Sequence, residues 1–88
     1  MTTEDPIVIV SAARTPMGGF QGDLKDATAA QLGAVAIKGA LDRANLSGDD
    51  VEEVIFGNVL PAGQGQAPAR QASLGAGIPE ATGCTTIN

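Results

Sequence analysis

Residues 51–82, VEEVIFGNVLPAGQGQAPARQASLGAGIPEAT, decide the fold of this chain. Val51, Val54, Ile55, Phe56, Val59 and Leu60 make an apolar stretch that is more continuous than alternating. Such a run predicts a strand covered on both faces, as parallel sheets require. The block from Pro61 to Pro68, rich in Gly and Gln, predicts a loop. A short helix follows over about Ala69–Leu74, stopped by Gly75 and Gly77 with Pro79 beyond, the usual order of helix terminators. Thr85-Thr86-Ile87 begins another strand, and Asn88 follows it.

Working outward to the N-terminal side, Leu32, Ala36, Ile37, Ala40, Leu41 and Ala44 share one broad arc at 100° per residue. Gln31, Lys38, Asp42 and Asn45 gather opposite, and only Val35 and Arg43 violate the pattern. This predicts a helix from about Ala29 to Ala44, with Thr28 as N-cap and Asn45 at its end. An arc this wide implies packing on a sheet and on a second neighbour. Further out, Gly18–Asp26 is a polar, Gly-containing loop, and Arg14-Thr15-Pro16 with Gly18-Gly19 breaks the chain before it. Ile7-Val8-Ile9-Val10, a run of β-branched residues, predicts a first buried strand. Strand, helix, strand, helix, strand in this order describes an α/β chain with two right-handed βαβ units of a parallel sheet. A three-stranded sheet with helices on one face leaves its other face bare, so we expect a remainder beyond Asn88.

Composition narrows the function classes. At 88 residues the chain is one small domain at most, with 43% hydrophobic and 17% charged residues, a globular balance rather than a disordered one. Two Phe with no Tyr or Trp leave a core of Val, Ile, Leu and Ala and remove the stacking platform of single-strand binders. The net charge is −5, without any run of Lys or Arg, which excludes nucleic acid as a partner. No apolar stretch is long enough to span a bilayer, and the start MTTEDP is acidic where a targeting peptide is basic. These features predict a cytoplasmic protein that does not contact membrane. Cys84 is the only cysteine and histidine is absent, so no disulfide, Cys/His zinc site or Cys-His dyad forms within these residues.

Of the candidate chemical motifs, Gly63-Gln64-Gly65 resembles the opening of a dinucleotide fingerprint, but Pro68 stands where its third glycine belongs. Cys84 has no neighbouring cation in sequence and no helix directly after it, so it reads as a structural thiol. Asp49, Asp50, Glu52 and Glu53 flank a strand entry and read as solvated surface charges. Arg14, after a buried strand and beside Thr15-Pro16, reads as a turn lock. Arg70 stands near a helix start, where a cation opposes the helix dipole unless a carboxylate or a partner subunit compensates, and this marks it as an interface residue.

Taken in order and spacing, SAARTPMGGFQGDLKD (11–26), LGAVAIKGALDRANL (32–46), the 51–82 stretch and TTIN (85–88) resemble the opening of the thiolase family. The likeness runs from Ile7 to Asn88, and GNVLPAGQGQAPARQ (57–71) is its most diagnostic block. The resemblance implies a thiolase-like α/β fold: two similar βαβαβαββ halves stacked as five alternating αβαβα layers. Residues 1–88 then cover about the first half of the first unit. In the family the TTIN strand leads into a Cys-Gly-Ser-Gly motif at the start of a buried helix, and its nucleophilic cysteine would fall on the third residue after Asn88. The implied reaction condenses two acetyl-CoA molecules to acetoacetyl-CoA, or thiolyses 3-ketoacyl-CoA in reverse, through a cysteine acyl-enzyme. Coenzyme A thioesters are then substrates, with no bound metal or redox cofactor implied.

On this resemblance none of residues 1–88 is catalytic. Asn88 positions the nucleophile-bearing helix, while Gln64, Gln66 and Arg70 belong to a segment packed at the dimer interface near the active site. The implied partners are acyl-CoA, the remainder of the thiolase chain, and further copies in a homodimer or homotetramer. The sequence departs from the family pattern at Cys84, where small residues are common, and at Ala67, where Asn is frequent. A related synthase of the same fold and a non-catalytic interaction domain are the alternative readings.

Overall fold

The structure is a computed structural model and describes residues 6–19 and 22–88. The acidic residues of the N-terminal start, and Phe20-Gln21 of the expected loop, lie outside the described residues. In chain order the elements are helix α1 (Ala29–Ala44), a 3-10 turn (Gly48–Asp50), strand β1 (Glu53–Gly57), helix α2 (Pro68–Gly75) and strand β2 (Gly83–Ile87).

Helix α1 has the bounds its sequence predicts, because both ends are written locally. The Thr28 hydroxyl accepts from the Gln31 N–H at 3.0 Å, and the Gln31 carboxamide accepts from the Thr28 N–H at 2.8 Å, closing a capping box. At the other end Asn45 takes the left-handed conformation, φ 62. The Leu46 N–H then reaches the Leu41 carbonyl at 3.0 Å, which satisfies a carbonyl the helix cannot. Both exceptions to the arc have simple placements. Val35 is exposed, and Arg43 donates to the Ala12 carbonyl at 2.7 Å, tying α1 to the N-terminal segment.

The second neighbour of α1 is α2. A Cβ built on Gly33 would stand 3.0 Å from the Ala72 Cβ, and one on Gly75 would stand 3.1 Å from the Ala34 Cβ. The two helices therefore approach through residues with one methyl or none. Ala69 and Ala72 are buried in this seam, and together with Val54 and Ile78 they form the hydrophobic core among the described residues.

Strands β1 and β2 pair in parallel, from Glu53 with Gly83 to Gly57 with Ile87, with α2 as the crossover. Val54 is buried and Phe56, Cys84 and Thr86 are half-buried on the helix-covered face, while Ile55 and Ile87 point from the exposed one. The α/β class and parallel pairing agree with the sequence, but three strand expectations need correction, the last strand beginning at Gly83 rather than Thr85. Ile7–Val10 joins no ladder, and its residues are 101, 66, 91 and 68% exposed. The described sheet is thus two-stranded, with one βαβ unit rather than two. Burying a run that is apolar on both sides needs cover on both faces of a sheet, and α1 and α2 lie on one. The strand expected over Val51–Leu60 is also shorter. Val51 caps the 3-10 turn, and Val59 and Leu60 are exposed beyond the last rung. Helix α2 exceeds its predicted span by one residue at each end, since Pro68 fits a first helical position that needs no N–H.

Candidate functional site

In a parallel sheet the functional end is the carboxyl end of the strands, outside which ligands bind. Here that end is formed by Asn58 after β1, Asn88 after β2, the loop over residues 58–67 and the start of α2. The ladder continues one step past Gly57, as the Asn58 N–H donates to the Ile87 carbonyl at 2.6 Å. That bond sets Asn58 beside the β2 exit at Asn88.

The loop is held by its own amides. The Asn58 carboxamide donates to the Gln64 side-chain oxygen, and the Gln64 Nε2 donates to the Leu60 carbonyl at 3.0 Å. From α2, the Gln71 Nε2 donates to two loop carbonyls, of Gln64 at 2.8 Å and Gln66 at 2.7 Å. The path needs left-handed backbone at Gly63 (φ 78), Gly65 (φ 81) and Ala67 (φ 48). Glycine takes that region freely, whereas alanine is strained there. Asn tolerates the same region better than Ala, which gives a physical reason for the family preference at position 67.

The start of α2 lacks a side-chain cap of its own, since Ala67 is the N-cap residue. Its open donor is met from the sheet. The Thr86 hydroxyl accepts from the Ala69 N–H at 3.0 Å, tying the helix start to the end of β2.

The residues singled out from sequence are brought together in part. Gln64 and Gln66 lie in the clasped loop, the former half-buried and the latter contributing its carbonyl. Asn88 stands at the adjoining strand exit. Arg14 lines a cleft of about 370 Å³ with Asn58, Pro68 and Ala69, and it donates to the Thr15 carbonyl at 3.1 Å. Arg70 turns elsewhere, donating to the Glu80 carbonyl at 3.3 Å from an exposed position. Cys84 faces the helices, half-buried, with its thiol 3.5 Å from the Thr82 carbonyl. Among the carboxylates, Asp50 accepts from the Ser47 N–H at 2.9 Å. No cluster of metal-binding side chains occurs among the described residues.

Sequence reasoning missed Asn58, Gln71 and Thr86. Gln71 stands four residues after Ala67, one helical turn into α2, which is the spacing that lets a side chain turn back on the preceding loop. Asn58 and Thr86 carry no local signal and acquire their roles only when β1 and β2 pair. Chemically, the groups gathered here are amides and a hydroxyl. They fix backbone, and among the described residues no nucleophile is paired with a base.

Comparison with known proteins identifies relatives of this arrangement. The family described as "Thiolase, N-terminal domain" matches residues 7–88. The chain is 58% identical over its whole length to a cytosolic acetyl-CoA acetyltransferase of Gibberella zeae, covering 22% of that protein. It is 59% identical over 98% of its length to a mitochondrial acetyl-CoA acetyltransferase of Xenopus tropicalis, covering 20% of it. A thiolase of Ascaris suum, crystallised in complex with coenzyme A, superposes with a TM-score of 0.89 at 46% identity, over 91% of this chain and 21% of that one. The chain thus spans about a fifth of the length of the relatives it matches. These relatives overturn the cytoplasmic expectation. Mitochondrial proteins match beside the cytosolic one, at 59% identity for Xenopus tropicalis and 54% for Rattus norvegicus against 58%, so an acidic start does not report the compartment.

Proposed function

The chain belongs to the thiolase family, and on that premise we propose that it is the N-terminal segment of an acyl-CoA acyltransferase. The reaction is the condensation of two acetyl-CoA to acetoacetyl-CoA and CoA, or thiolysis of 3-ketoacyl-CoA in reverse. The observation that carries this reading is the 58–60% identity, over 93–100% of the chain, to relatives named acetyl-CoA acetyltransferase in a fungus, an amphibian and a plant. The coenzyme A held by the Ascaris suum thiolase supports CoA thioesters as the substrate class.

In this reading residues 1–88 form the first part of the N-terminal domain, and their work is positional. A cysteine on the third residue after Asn88, at the start of a helix, gains acidity from the helix dipole and free N–H groups, so that its thiolate can attack an acyl-CoA thioester. The parallel ladder and the Asn58–Ile87 bond hold the exit from which that segment departs. Asn88 orients it, Gln64 and Gln66 shape the adjoining loop, and Arg14 borders the cleft beside it. Exposed Arg70 meets a second copy of the chain in a homodimer or homotetramer.

The test is to incubate the full-length protein carrying this segment with acetyl-CoA and locate the acetyl group by peptide mass spectrometry. Acetylation of the cysteine three residues after Asn88, together with CoA-dependent cleavage of acetoacetyl-CoA, is the expected result. A protein that takes up no acyl group and cleaves no 3-ketoacyl-CoA refutes the assignment. Sedimentation equilibrium checks the oligomer: a monomer would remove the interface role given to Arg70.

A further inference from the structure

Gln71 is exposed, yet its single amide nitrogen bonds two carbonyls of one loop, at Gln64 and Gln66. Its own backbone N–H makes the ordinary helical bond to the Ala67 carbonyl at 3.1 Å, so the side chain adds two bonds to the loop where α2 begins. A methyl at Gly65 would lie 3.2 Å from that Nε2, and glycine there lets the amide come close. The gripped loop contains all three left-handed residues between β1 and α2, of which Ala67 is the one that local preference disfavours. From Gln64 the connection continues through its side chain to Asn58, and from the Asn58 N–H to the Ile87 carbonyl, next to Asn88.

We propose that Gln71 is a positioning residue for the reaction assigned above: it fixes the loop over residues 64–67 and, through Gln64 and Asn58, the β2 exit that places the nucleophile. This inference rests on the function proposed in the preceding subsection. Gln71 acts on no substrate atom. Its effect belongs to the geometry of attack, where a displacement of about 1 Å at the reacting thiol costs up to about a hundredfold in rate.

The experiment compares the full-length protein with Gln71→Met, which keeps the chain length and removes both donors, and with Gln71→Lys, whose ammonium restores them. Acetoacetyl-CoA thiolysis is measured at saturating CoA, with circular dichroism as the check on folding. The Gln71→Met protein is expected to lose roughly tenfold to a hundredfold in kcat, with KM within about twofold. Gln71→Lys is expected to recover most of that loss, and Asn58→Ala to mimic Gln71→Met without adding to it in the double variant. Unchanged kcat in a folded Gln71→Met protein overturns the proposal, as does a loss that appears in KM alone or is not recovered by Lys. If Gln71→Met does not fold, Asn58→Ala carries the test, and its unchanged kcat overturns the proposal equally. An active parent with unaffected variants refutes the positioning role alone, whereas an inactive parent refutes the assigned reaction and the positioning role with it.

Discussion

Gly48→Ala tests the packing argument most directly, because the three atoms nearest the new methyl are all backbone. Its Cβ would stand 2.5 Å from the Gly77 carbonyl oxygen and 3.1 Å from both the Gly77 carbonyl carbon and the Ile78 Cα. Gly77 cannot easily yield. It has φ 87, its N–H is bonded to the Leu74 carbonyl, and the next N–H, of Ile78, is bonded to Ser73 at 3.1 Å. These bonds terminate α2, and Ile78 is buried behind them. Overpacking costs about 1–3 kcal/mol, and a pinned backbone neighbour puts this site at the upper end. Restriction of the unfolded chain returns about 0.4–1 kcal/mol. The expected net loss is about 2 kcal/mol, or about 2 M in urea midpoint for a slope near 1 kcal/mol/M. Residues 1–88 hold no Trp or Tyr, so far-ultraviolet circular dichroism is the suitable probe for this segment. Gly83→Ala is the control: a methyl there meets nothing within 4 Å and the backbone is extended. Equal midpoints for the two variants would refute the reasoning.

Three other substitutions probe the local devices. Ala67→Gly relieves a left-handed alanine and is expected to raise stability by about 1 kcal/mol in urea titration, with Ala67→Asn intermediate; a lower midpoint for the glycine variant would show that position 67 is not strained. Thr28→Ala removes half of the capping box and is expected to cost about 1 kcal/mol, with faster amide exchange confined to the first turn of α1; unchanged exchange there counts against the cap. Thr86→Val keeps the side-chain shape but leaves the Ala69 N–H without its acceptor, for an expected loss of about 1–2 kcal/mol in the same titration. A neutral result would mean that the hydroxyl does not hold the helix start.

What could be read from the sequence was whatever its own neighbours specify. Helix α1 was legible to its last residue because Thr28, Gln31 and Asn45 act within one turn of where they stand. Strands were legible as types but not as lengths. Val59 and Leu60 are as apolar as Val54, yet residue pairing ends at Gly57 with Ile87 and the last bond is that of the Asn58 N–H. Ile7–Val10 has the strongest β composition in the chain and no ladder, because pairing depends on cover that composition does not describe. At the strand ends, Gln64 and Gln66 stood out within a distinctive block, whereas Asn58 did not. Its meaning comes from Ile87, which only the folded sheet brings beside it. Arg70 was read as an uncompensated cation at a helix start, and its carbonyl partner at Glu80 lies across a turn that sequence spacing cannot foresee.

Each rung of the parallel ladder joins residues thirty apart, from Glu53 with Gly83 to Gly57 with Ile87, and this sets a timetable for synthesis. Helix α1 can close as soon as its last turn leaves the ribosome, since its bonds are local. Strand β1 cannot. At about 5–20 residues per second, roughly 2–6 s separate the appearance of Glu53 from that of Gly83. Throughout that interval Val54 and Phe56 are apolar residues of an unpaired edge, with α1 as the completed surface on which they can shelter.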